Sequence, residues 1–504
     1  MIHFIVLIIA IPLLSAFLLP LIGRLNEKLM KFWAGLTLLL TGFLSIFLYK
    51  LILEKGTLAY TLGAKFPSLT APQGFPVRII LIGDALSGFL ALFFLFIAFL
   101  TFLFSLKILD GYHFLDKLYT LYLLLLVGVL GFLFTGDFFT LFVFYEINSI
   151  ATTGLIAFFR NRECFKSAFH YLAVFAVGSL LLLFGVGLLY SEYGFLNMAV
   201  IGKNIQFSFL DKVALSFIAS GLLLKAGIFP FYFWKPEAYN ASPVPAVILS
   251  IVSSLSALYV LFRISFDVFG LNIVFGKILI LFSVLSIFAG VFLALKENNL
   301  KRILAYLAIS ELGYVVLGVS SGFLMPNTKP GLKAIEGGLF HMVNDILDVG
   351  LLFLIAGIIL YISRIRDTFE IRGLARKYPI LAGFSLFGVL AISGMPPLNG
   401  FASKIMIYES VFHLSPVLTI IAILGSILVL AVLVKIFASI FLGAPNEENR
   451  DYQVVPKVVI AVVSILVILM FSIGLFPKQF VTSFVSLAAK ALISQQNYIN
   501  SVIY

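Results

Sequence analysis

Long apolar runs recur along the whole chain, and they constrain the fold more than any other feature. Each run is about 20 residues long, the length of an α-helix that crosses a hydrocarbon core of roughly 30 Å. Charged residues make up only 11% of the chain, whereas soluble domains carry roughly 25%. The runs do not alternate between polar and apolar residues, as the strands of a membrane barrel would. The sequence therefore predicts an all-α, polytopic membrane protein.

The runs predict about fourteen membrane-spanning helices. The first run follows Met1 without a basic segment or a cleavage site, which favours a retained helix over a signal peptide. The predicted spans are approximately residues 3–22, 31–53, 79–107, 117–135, 137–159, 166–190, 211–233, 243–265, 272–295, 301–320, 333–362, 379–411, 415–443 and 456–477.

The net charge of +11 lies mainly in the loops between spans, so it indicates orientation and does not suggest a nucleic-acid partner. The loops after odd-numbered spans are the richest in Lys and Arg, namely those at 23–31, 160–166, 296–302 and 364–377. Positive loops stay in the cytoplasm. We therefore expect a cell (plasma) membrane protein with both termini outside.

The chain contains a single cysteine, Cys164. One cysteine cannot form an internal disulfide or hold an iron–sulfur cluster. The sequence also has no dinucleotide fingerprint and no P-loop. We therefore expect no cofactor in this chain, and any redox or nucleotide chemistry would belong to another subunit.

Two predicted spans are interrupted in similar ways. The seventh reads "LLLKAGIFPFYFWKPEAY", with Lys225 five residues before Pro230, and the twelfth reads "LAISGMPPLNGFASKIMIYESVF", with Lys404 seven residues after Pro397. Proline frees backbone carbonyls, and within a bilayer such a break persists only inside protein or beside a watered cavity. Paired broken helices in two halves of a transporter indicate an ion or substrate site.

The positions of the two breaks predict an internal repeat. Spans 4–8 and 9–13 would form two five-helix repeats, each with its broken helix fourth, and the odd number of crossings makes the repeats inverted. The predicted units are 1–110 with spans 1–3, 111–266 and 267–444 with the repeats, and 445–504 with helix 14 and an amphipathic tail. We expect this tail to lie along the membrane surface.

Ionisable residues within the spans are the candidates for the functional site. A charge at a helix centre costs roughly 2.5–3.5 kcal/mol in insertion experiments, so each such residue needs a partner or a function. The simpler alternative is that they form structural ion pairs or extend to the membrane interface. The residues are Glu146, Lys225, Glu311, His341, Asp345, Asp348, Lys404 and Lys435.

The spacing of some of these residues favours a function. His341, Asn344, Asp345 and Asp348 fall on one stripe of the eleventh span, and Glu146, Ser149 and Thr153 fall on one stripe of the fifth. Such stripes would face the bundle interior and hold water, as a proton or cation path requires.

Asp345 and Asp348 lie about one helical turn apart, on the same helix face as His341. Two carboxylates this close do not both ionise easily in an apolar site. The pair would therefore share a proton or bind Na⁺, with Glu311 on the preceding helix as a third ligand or proton donor. The alternative is that the two aspartates pair with basic residues or cap a kink.

At this point the chain resembles a known family over roughly residues 80–450. The segments that carry the resemblance are "TGDFFTLFVFYEINSIATTGLIAF", "LLKAGIFPFYFWKPEAYNASPVPAVILS", "ENNLKRILAYLAISELGYVVLG", "GLFHMVNDILDVGLLFLIAG" and "GLARKYPILAGFSLFGVLAISGMPPLNGFASK". Their order is similar to that in the antiporter-like, proton-translocating membrane subunits of Mrp-type cation/proton antiporters, membrane-bound hydrogenases and related archaeal complexes, and respiratory complex I. The segments "FVFYEINSIA" and "GFASK" most resemble those of the Mrp D-type branch.

The resemblance implies roles for four residues. Glu146 matches the family's fifth-helix glutamate, and Lys225 matches the seventh-helix lysine with which that glutamate pairs. Lys404 matches the twelfth-helix lysine at the exit half-channel. His341 matches a histidine of the eleventh helix.

The chain also departs from the family pattern. Leu255 stands where the family usually has an eighth-helix lysine, and Asp345 and Val349 stand where it often has His and Lys. Tyr232 and Tyr239 stand at positions where the family commonly has histidine. Glu311 follows a serine, and the family usually has His, Gln or Asn at this position. Either acidic residues carry protons or sodium here, or this copy conducts poorly and serves as a coupling element.

The residues and the resemblance together predict an ion-translocating subunit of a multisubunit membrane complex that moves H⁺, Na⁺ or both. Its partners would be sister membrane subunits. One alternative is a stand-alone secondary transporter of a small solute, because broken helices also build such sites. The other is a poorly conducting scaffold, which Leu255 and Val349 favour and which Glu146, Lys225 and Lys404 disfavour.

Overall fold

The computed structural model describes residues 3–62, 78–365, 370–444 and 453–503, so residues 366–369 of the basic loop 364–377 lie outside it. Within these ranges, twelve helices are long and apolar enough to cross a membrane. The two other predicted spans are the interrupted ones, which the structure divides into shorter helices. The prediction of an all-α polytopic membrane protein is confirmed, and the count of fourteen crossings fits.

The chain begins with three long helices and a small sheet. These elements are α1 (Phe4–Leu25), α2 (Glu27–Lys55), β1 (Leu58–Thr61), β2 (Ile80–Gly83) and α3 (Ala85–Ile108). The next group is α4 (Leu115–Phe134), α5 (Phe138–Ile156), α6 (Arg162–Tyr193), α7 (Met198–Asn204), α8 (Phe209–Ala226), α9 (Lys235–Ala241) and α10 (Val244–Arg263), which continues as a π-helical turn (Ile264–Val268).

A second group with the same order of elements follows. It consists of α11 (Ile273–Lys296), α12 (Leu300–Leu324), α13 (Lys329–Ser363), α14 (Leu374–Lys377), α15 (Pro379–Ile392), α16 (Asn399–Leu414) and α17 (Pro416–Phe441). The chain ends with α18 (Lys457–Leu475), α19 (Pro477–Phe480), a π-helical turn (Val481–Val485), α20 (Ser486–Ile493) and α21 (Gln495–Ile503).

The two groups each place three long helices before a short helix, a broken helix and a final helix. The breaks lie between α8 and α9 and between α15 and α16, around the two predicted prolines. Gly227 and Gly394 occupy left-handed backbone conformations there, with φ of 69° and 76°. Such glycines commonly end helices because they adopt a positive φ without steric cost. The proline and glycine residues together therefore stop each first half-helix.

The small sheet differs from the sequence prediction. Strands β1 and β2 pair antiparallel from Leu58–Gly83 to Thr61–Ile80, whereas the predicted third span starts at residue 79. Helix α3 starts only after Asp84, whose carboxylate accepts hydrogen bonds from the backbone of Leu86 and Ser87. The strand "ILIG" is as apolar as the helix that follows, so hydropathy alone does not separate the two.

A buried arginine ties this N-terminal part to the first repeat. Arg263, at the end of α10, forms ion pairs with Asp84 and Asp267. All three side chains are nearly inaccessible to solvent. Because a buried charge without a partner is strongly destabilising, this cluster holds the start of α3 against the end of α10.

The C-terminal tail packs on protein. Phe480 and Phe484 contact the rings of Phe89 and Phe93 on α3. Ser486 donates a hydrogen bond to Glu336 of α13 at 2.6 Å. The tail therefore braces α3 and α13, and its location at a membrane surface stays a prediction.

Candidate functional site

Lys225 lies two residues before the first break and is 1% exposed. Its ammonium group donates hydrogen bonds to Ser149 Oγ at 3.0 Å and to Tyr171 OH at 3.2 Å. The same group lies 4.4 Å from the ring centre of Phe175. Hydroxyl oxygens and ring faces thus hold this buried cation by hydrogen bonds and cation–π attraction.

Glu146 is half-buried on α5, one turn before Ser149. Its charge acts electrostatically on Lys225, yet no direct ion pair joins them in the described part of the chain. Resemblance to the family predicts that they pair, directly or through a bridging water. The structure does not contain the direct contact, and the ammonium group of Lys225 instead donates to Ser149 and Tyr171.

Three ionisable side chains meet beside the second break. Lys404 Nζ lies 3.0 Å from Glu311 Oε2, and His341 Nε2 lies 3.2 Å from the same oxygen. All three side chains are 1% exposed. Glu311 therefore bridges Lys404 and His341, whereas the sequence groups it with Asp345 and Asp348.

Lys404 also contacts the broken helix itself. Its ammonium group donates a hydrogen bond to the carbonyl of Ile392, the last residue of α15, at 2.7 Å. A cation is favourable at a helix C-terminus, where unpaired carbonyls and the helix dipole concentrate negative charge. Although Lys404 starts more than a turn into α16, its side chain reaches back to the break.

Hydrogen bonds connect α13 to the start of α16. Asn399 Nδ2 donates to Asn344 Oδ1 at 3.1 Å and to Asp348 Oδ1 at 2.7 Å. Asn344 Nδ2 donates to the carbonyl of Asn399 and to Ser403 Oγ, both at 2.8 Å. His341 Nδ1 also lies 3.0 Å from Ser403 Oγ. Asp348 is thereby tied to the broken helix.

Asp345 has a different environment from Asp348. It is 1% exposed, and neither carboxylate oxygen has a hydrogen-bond partner among the described residues. Its charge interacts with Lys235, the first residue of α9, which is also 1% exposed. Lys235 is not among the residues that the sequence predicts for the site. A lysine within the apolar stretch "FWKPEAY" was the available signal.

The remaining candidates lie apart from these clusters. Lys435 is exposed on α17. Cys164 is buried, and its Sγ donates a hydrogen bond to the carbonyl of Ala241 at 3.4 Å. Within the described ranges, no group of three or more His, Cys, Asp or Glu side chains is arranged to hold a metal ion.

Comparison with known proteins gives consistent matches. The sequence profile of a family described as NADH:quinone oxidoreductase/Mrp antiporter, transmembrane, matches residues 135–429. The chain is 29% identical to the D-type subunit of the Na⁺/H⁺ antiporter of Bacillus subtilis (strain 168), over 99% of each protein.

Two solved structures share the fold over nearly the full length. One is a chain of the Mrp complex from Dietzia sp. DQ12-45-1b, with a TM-score of 0.89, 22% identity and coverage of 100% of this chain and 99% of that one. The other is a chain of a membrane-bound sulfane sulfur reductase, an archaeal respiratory membrane complex, with a TM-score of 0.87, 26% identity and 99% coverage of each. At 22% identity the Dietzia match bears on the fold alone.

Proposed function

Since the chain belongs to the NADH:quinone oxidoreductase/Mrp antiporter transmembrane family, we propose that it translocates H⁺, Na⁺ or both across a membrane as one subunit of a multisubunit complex. The observation that carries this proposal is the set of buried, ionisable side chains beside both broken helices. Lys225 lies at the first break, and the Glu311–Lys404–His341 cluster lies at the second. Burying this many charges is costly, and ion movement gives them a use.

The Glu311–Lys404–His341 cluster can couple charge movement to proton movement. While Glu311 is ionised, it stabilises the charge on Lys404, from which it lies 3.0 Å. If Glu311 gains a proton, Lys404 becomes an uncompensated buried cation, which favours loss of its own proton. A proton arriving on one side of the cluster thus promotes release on the other.

We assign the residues to three stations. Glu146 and Lys225 form the first station, Asp345 and Asp348 the second, and Glu311, Lys404 and His341 the third, nearest the exit. We also propose the unit boundaries 1–110, 111–266, 267–444 and 445–504, and a plasma-membrane location with both termini outside. A Na⁺ ion bound between Asp345 and Asp348 is the alternative to a shared proton.

The packing around the charges disfavours transport of an organic solute. Glu311 lies within 3.2 Å of both of its partners, so no space for a solute separates these groups. The names of two relatives support the ionic alternative, since one is a subunit of a Na⁺/H⁺ antiporter and the other belongs to an archaeal respiratory membrane complex. The partners of this chain would therefore be sister membrane subunits of such a complex.

The test is ion flux through the intact complex. The complex is isolated through an affinity tag on this chain, its subunits are identified by mass spectrometry, and it is placed in liposomes. Uptake of ²²Na⁺ and internal pH are followed under an imposed pH gradient, and with the substrate of any co-purifying redox subunits. We expect flux that Lys404→Ala abolishes and that Lys50→Ala, at an exposed site on α2, leaves unchanged. Absence of flux from the assembled complex would contradict the proposal and favour a scaffold.

A further inference from the structure

Lys235 is a buried lysine that the three stations leave unused. Its side chain turns back over the break. This is shown by Gly227, where an added Cβ atom would lie only 2.4 Å from Lys235 Cε. The ammonium group lies 5.8 Å from the ring centre of Trp234. A lysine near a membrane surface normally extends toward water. This side chain instead points into the interior, and the glycine at 227 leaves it room.

The carboxylate whose charge acts on Lys235 is that of Asp345 on α13. Neither oxygen of this carboxylate has a hydrogen-bond partner within the described residues, so among the described residues only positively charged neighbours favour its ionised form. The other charged groups that act on Asp345 are Glu311 of α12, Asp348 of α13 and Lys404 of α16, and the Tyr239 hydroxyl of α9 also interacts with it. Two of these are acidic and repel it, and Lys404 is paired with Glu311. Lys235 is therefore the cation available to compensate Asp345.

We propose that Lys235 and Asp345 form a proton-transferring pair, with Lys235 supplying the cation of the middle station. This inference rests on the proposed function and names the residues that join the two halves of the path. Lys235 belongs to the broken helix of the first repeat, and Asp345 lies on α13 of the second, one turn after His341. The pair thus connects the Lys225 side to the Glu311–Lys404–His341 cluster.

The transfer step conserves charge. A proton leaves the Lys235 ammonium, directly or through water, and binds a carboxylate oxygen of Asp345, so that an ion pair becomes a neutral amine and a neutral acid. The net charge of the pair stays at zero. In an apolar interior the two states can lie close in free energy, since burial penalises the charged pair and mutual attraction favours it. Asp345 then releases its proton toward the third station, and Lys235 takes up another.

The far end of α9 provides a route by which Lys235 can be reloaded. A cavity of about 740 Å³ is lined by Ser242, Lys301 and Asp110 among others. Lys301 Nζ donates hydrogen bonds to the carbonyls of Asn240 and Ser242 at 2.8 and 2.6 Å, which fixes the end of α9 at the cavity wall. Helix α9 has seven residues, so it spans about 10 Å from the cavity to Lys235.

Buried polar atoms lie on α9 and on the neighbouring α10. Asn240 Oδ1 has no hydrogen-bond partner among the described residues, and the hydroxyls of Tyr239 and Ser254 interact with each other. Tyr239 also lies close enough to Asp345 for electrostatic interaction. Buried polar atoms of this kind usually bind ordered water. Water beside α9 would connect the cavity to the Lys235–Asp345 pair.

The experiment compares substitutions of the pair in the reconstituted complex. Lys235→Met removes the proton carrier at similar volume, and we expect flux to fall at least tenfold. Lys235→Arg keeps the positive charge but does not release its proton at accessible pH, so we expect an equal loss. Lys212→Met, at an exposed position on α8, is the matched control and should leave flux and its pH profile unchanged.

The outcomes separate this inference from the proposed function. Normal flux with a normal pH profile in Lys235→Arg would overturn the inference, because a fixed charge would then suffice. If Lys404→Ala abolishes flux in the same preparation, the proposed function survives that result. Should Lys235→Met prevent assembly by leaving Asp345 unpaired, the Lys235→Met/Asp345→Asn double variant removes both charges. We expect it to assemble without flux, and flux in that variant would also overturn the inference.

Discussion

Among individual residues, Lys225 donates hydrogen bonds to two hydroxyl groups and not to Glu146, with which the family resemblance pairs it. Ser149 and Tyr171 bind the ammonium group at 3.0 and 3.2 Å, so Glu146 acts on it only from a distance. Because Glu146 is half-buried, an isosteric amide should fit in its place without disturbing the packing. We predict that Glu146→Gln abolishes coupled ion movement and leaves assembly intact, as measured by flux and subunit composition.

The control for Glu146 is an exposed glutamate of α2. Glu54→Gln changes the formal charge by the same amount at the end of that helix and should have no effect on flux. A fully active Glu146→Gln complex would show that this carboxylate is not part of the path.

For Lys404, charge and proton release can be separated by substitution. Lys404→Arg keeps a cation beside Glu311 but resists deprotonation, so we predict normal assembly with no flux. Lys404→Ala leaves Glu311 without its ammonium partner, and removing one member of a buried ion pair costs roughly 3–5 kcal/mol. Thermal unfolding of the purified complex should therefore distinguish the two variants. Pumping at the normal rate by Lys404→Arg would exclude proton release from Lys404.

The sequence predicts which residue types matter better than it predicts their partners. A charged residue within an apolar run can be recognised from the sequence, and this predicts the burial of Lys225, Lys404 and Asp345, which the structure confirms. Helical spacing defines the face of a helix but not the helix opposite, so the contact between Glu311 and Lys404 could not be derived. The sequence does not predict Lys235 as a site residue, because it follows the break. A lysine at that position is easily taken for the polar end of an apolar run.

At the level of helices, two glycines set the distance between α12 and α13. A Cβ atom at Gly338 would lie 2.8 Å from the backbone nitrogen of Val319 and 3.0 Å from the carbonyl oxygen of Val315. A Cβ atom at Gly318, on the facing helix, would lie 2.7 Å from the Cα of Gly338. We predict that Gly338→Ala separates the helices, lengthens the 3.2 Å contact between His341 and Glu311, and lowers flux. Overpacking of this kind costs about 1–3 kcal/mol, which thermal unfolding should detect.

Gly383 on α15 provides the matched substitution for Gly338. Its Cβ position has no neighbouring atom within 4 Å, so alanine meets no clash there. Gly383→Ala should leave flux unchanged and stabilise the helix by up to about 1 kcal/mol, through the higher helix propensity of alanine. Equal behaviour of the two variants would show that the close approach of α12 and α13 is unimportant.

The helices themselves were largely predictable, and the exceptions have physical reasons. Proline and glycine mark both breaks because they remove a donor or permit a positive φ, and these effects are local. Strand β2 was missed because "ILIG" is apolar enough to continue the predicted span, while its pairing with Leu58–Thr61 depends on residues more than 15 positions away.

For the whole molecule, the orientation of the chain in the membrane can be tested directly. In a Cys164→Ser background, a cysteine at exposed Lys296 reports the end of α11, and one at exposed Lys478 reports the C-terminal tail. Because positive loops stay in the cytoplasm, we predict that a membrane-impermeant maleimide labels Lys478→Cys in intact cells. Lys296→Cys should react only after the membrane is opened. The reverse pattern would place both termini inside.

The chain has only two tryptophans, and Trp234 lies beside Lys235. Its indole nitrogen donates a hydrogen bond to the carbonyl of Leu224 at 3.0 Å, and its ring centre lies 5.8 Å from the Lys235 ammonium. The colour of indole fluorescence follows the local electric field. In a Trp33→Phe variant, Trp234 is the single indole, and its emission would change when Lys235 gains or loses a proton. Fluorescence would then report the protonation of Lys235 during ion transport.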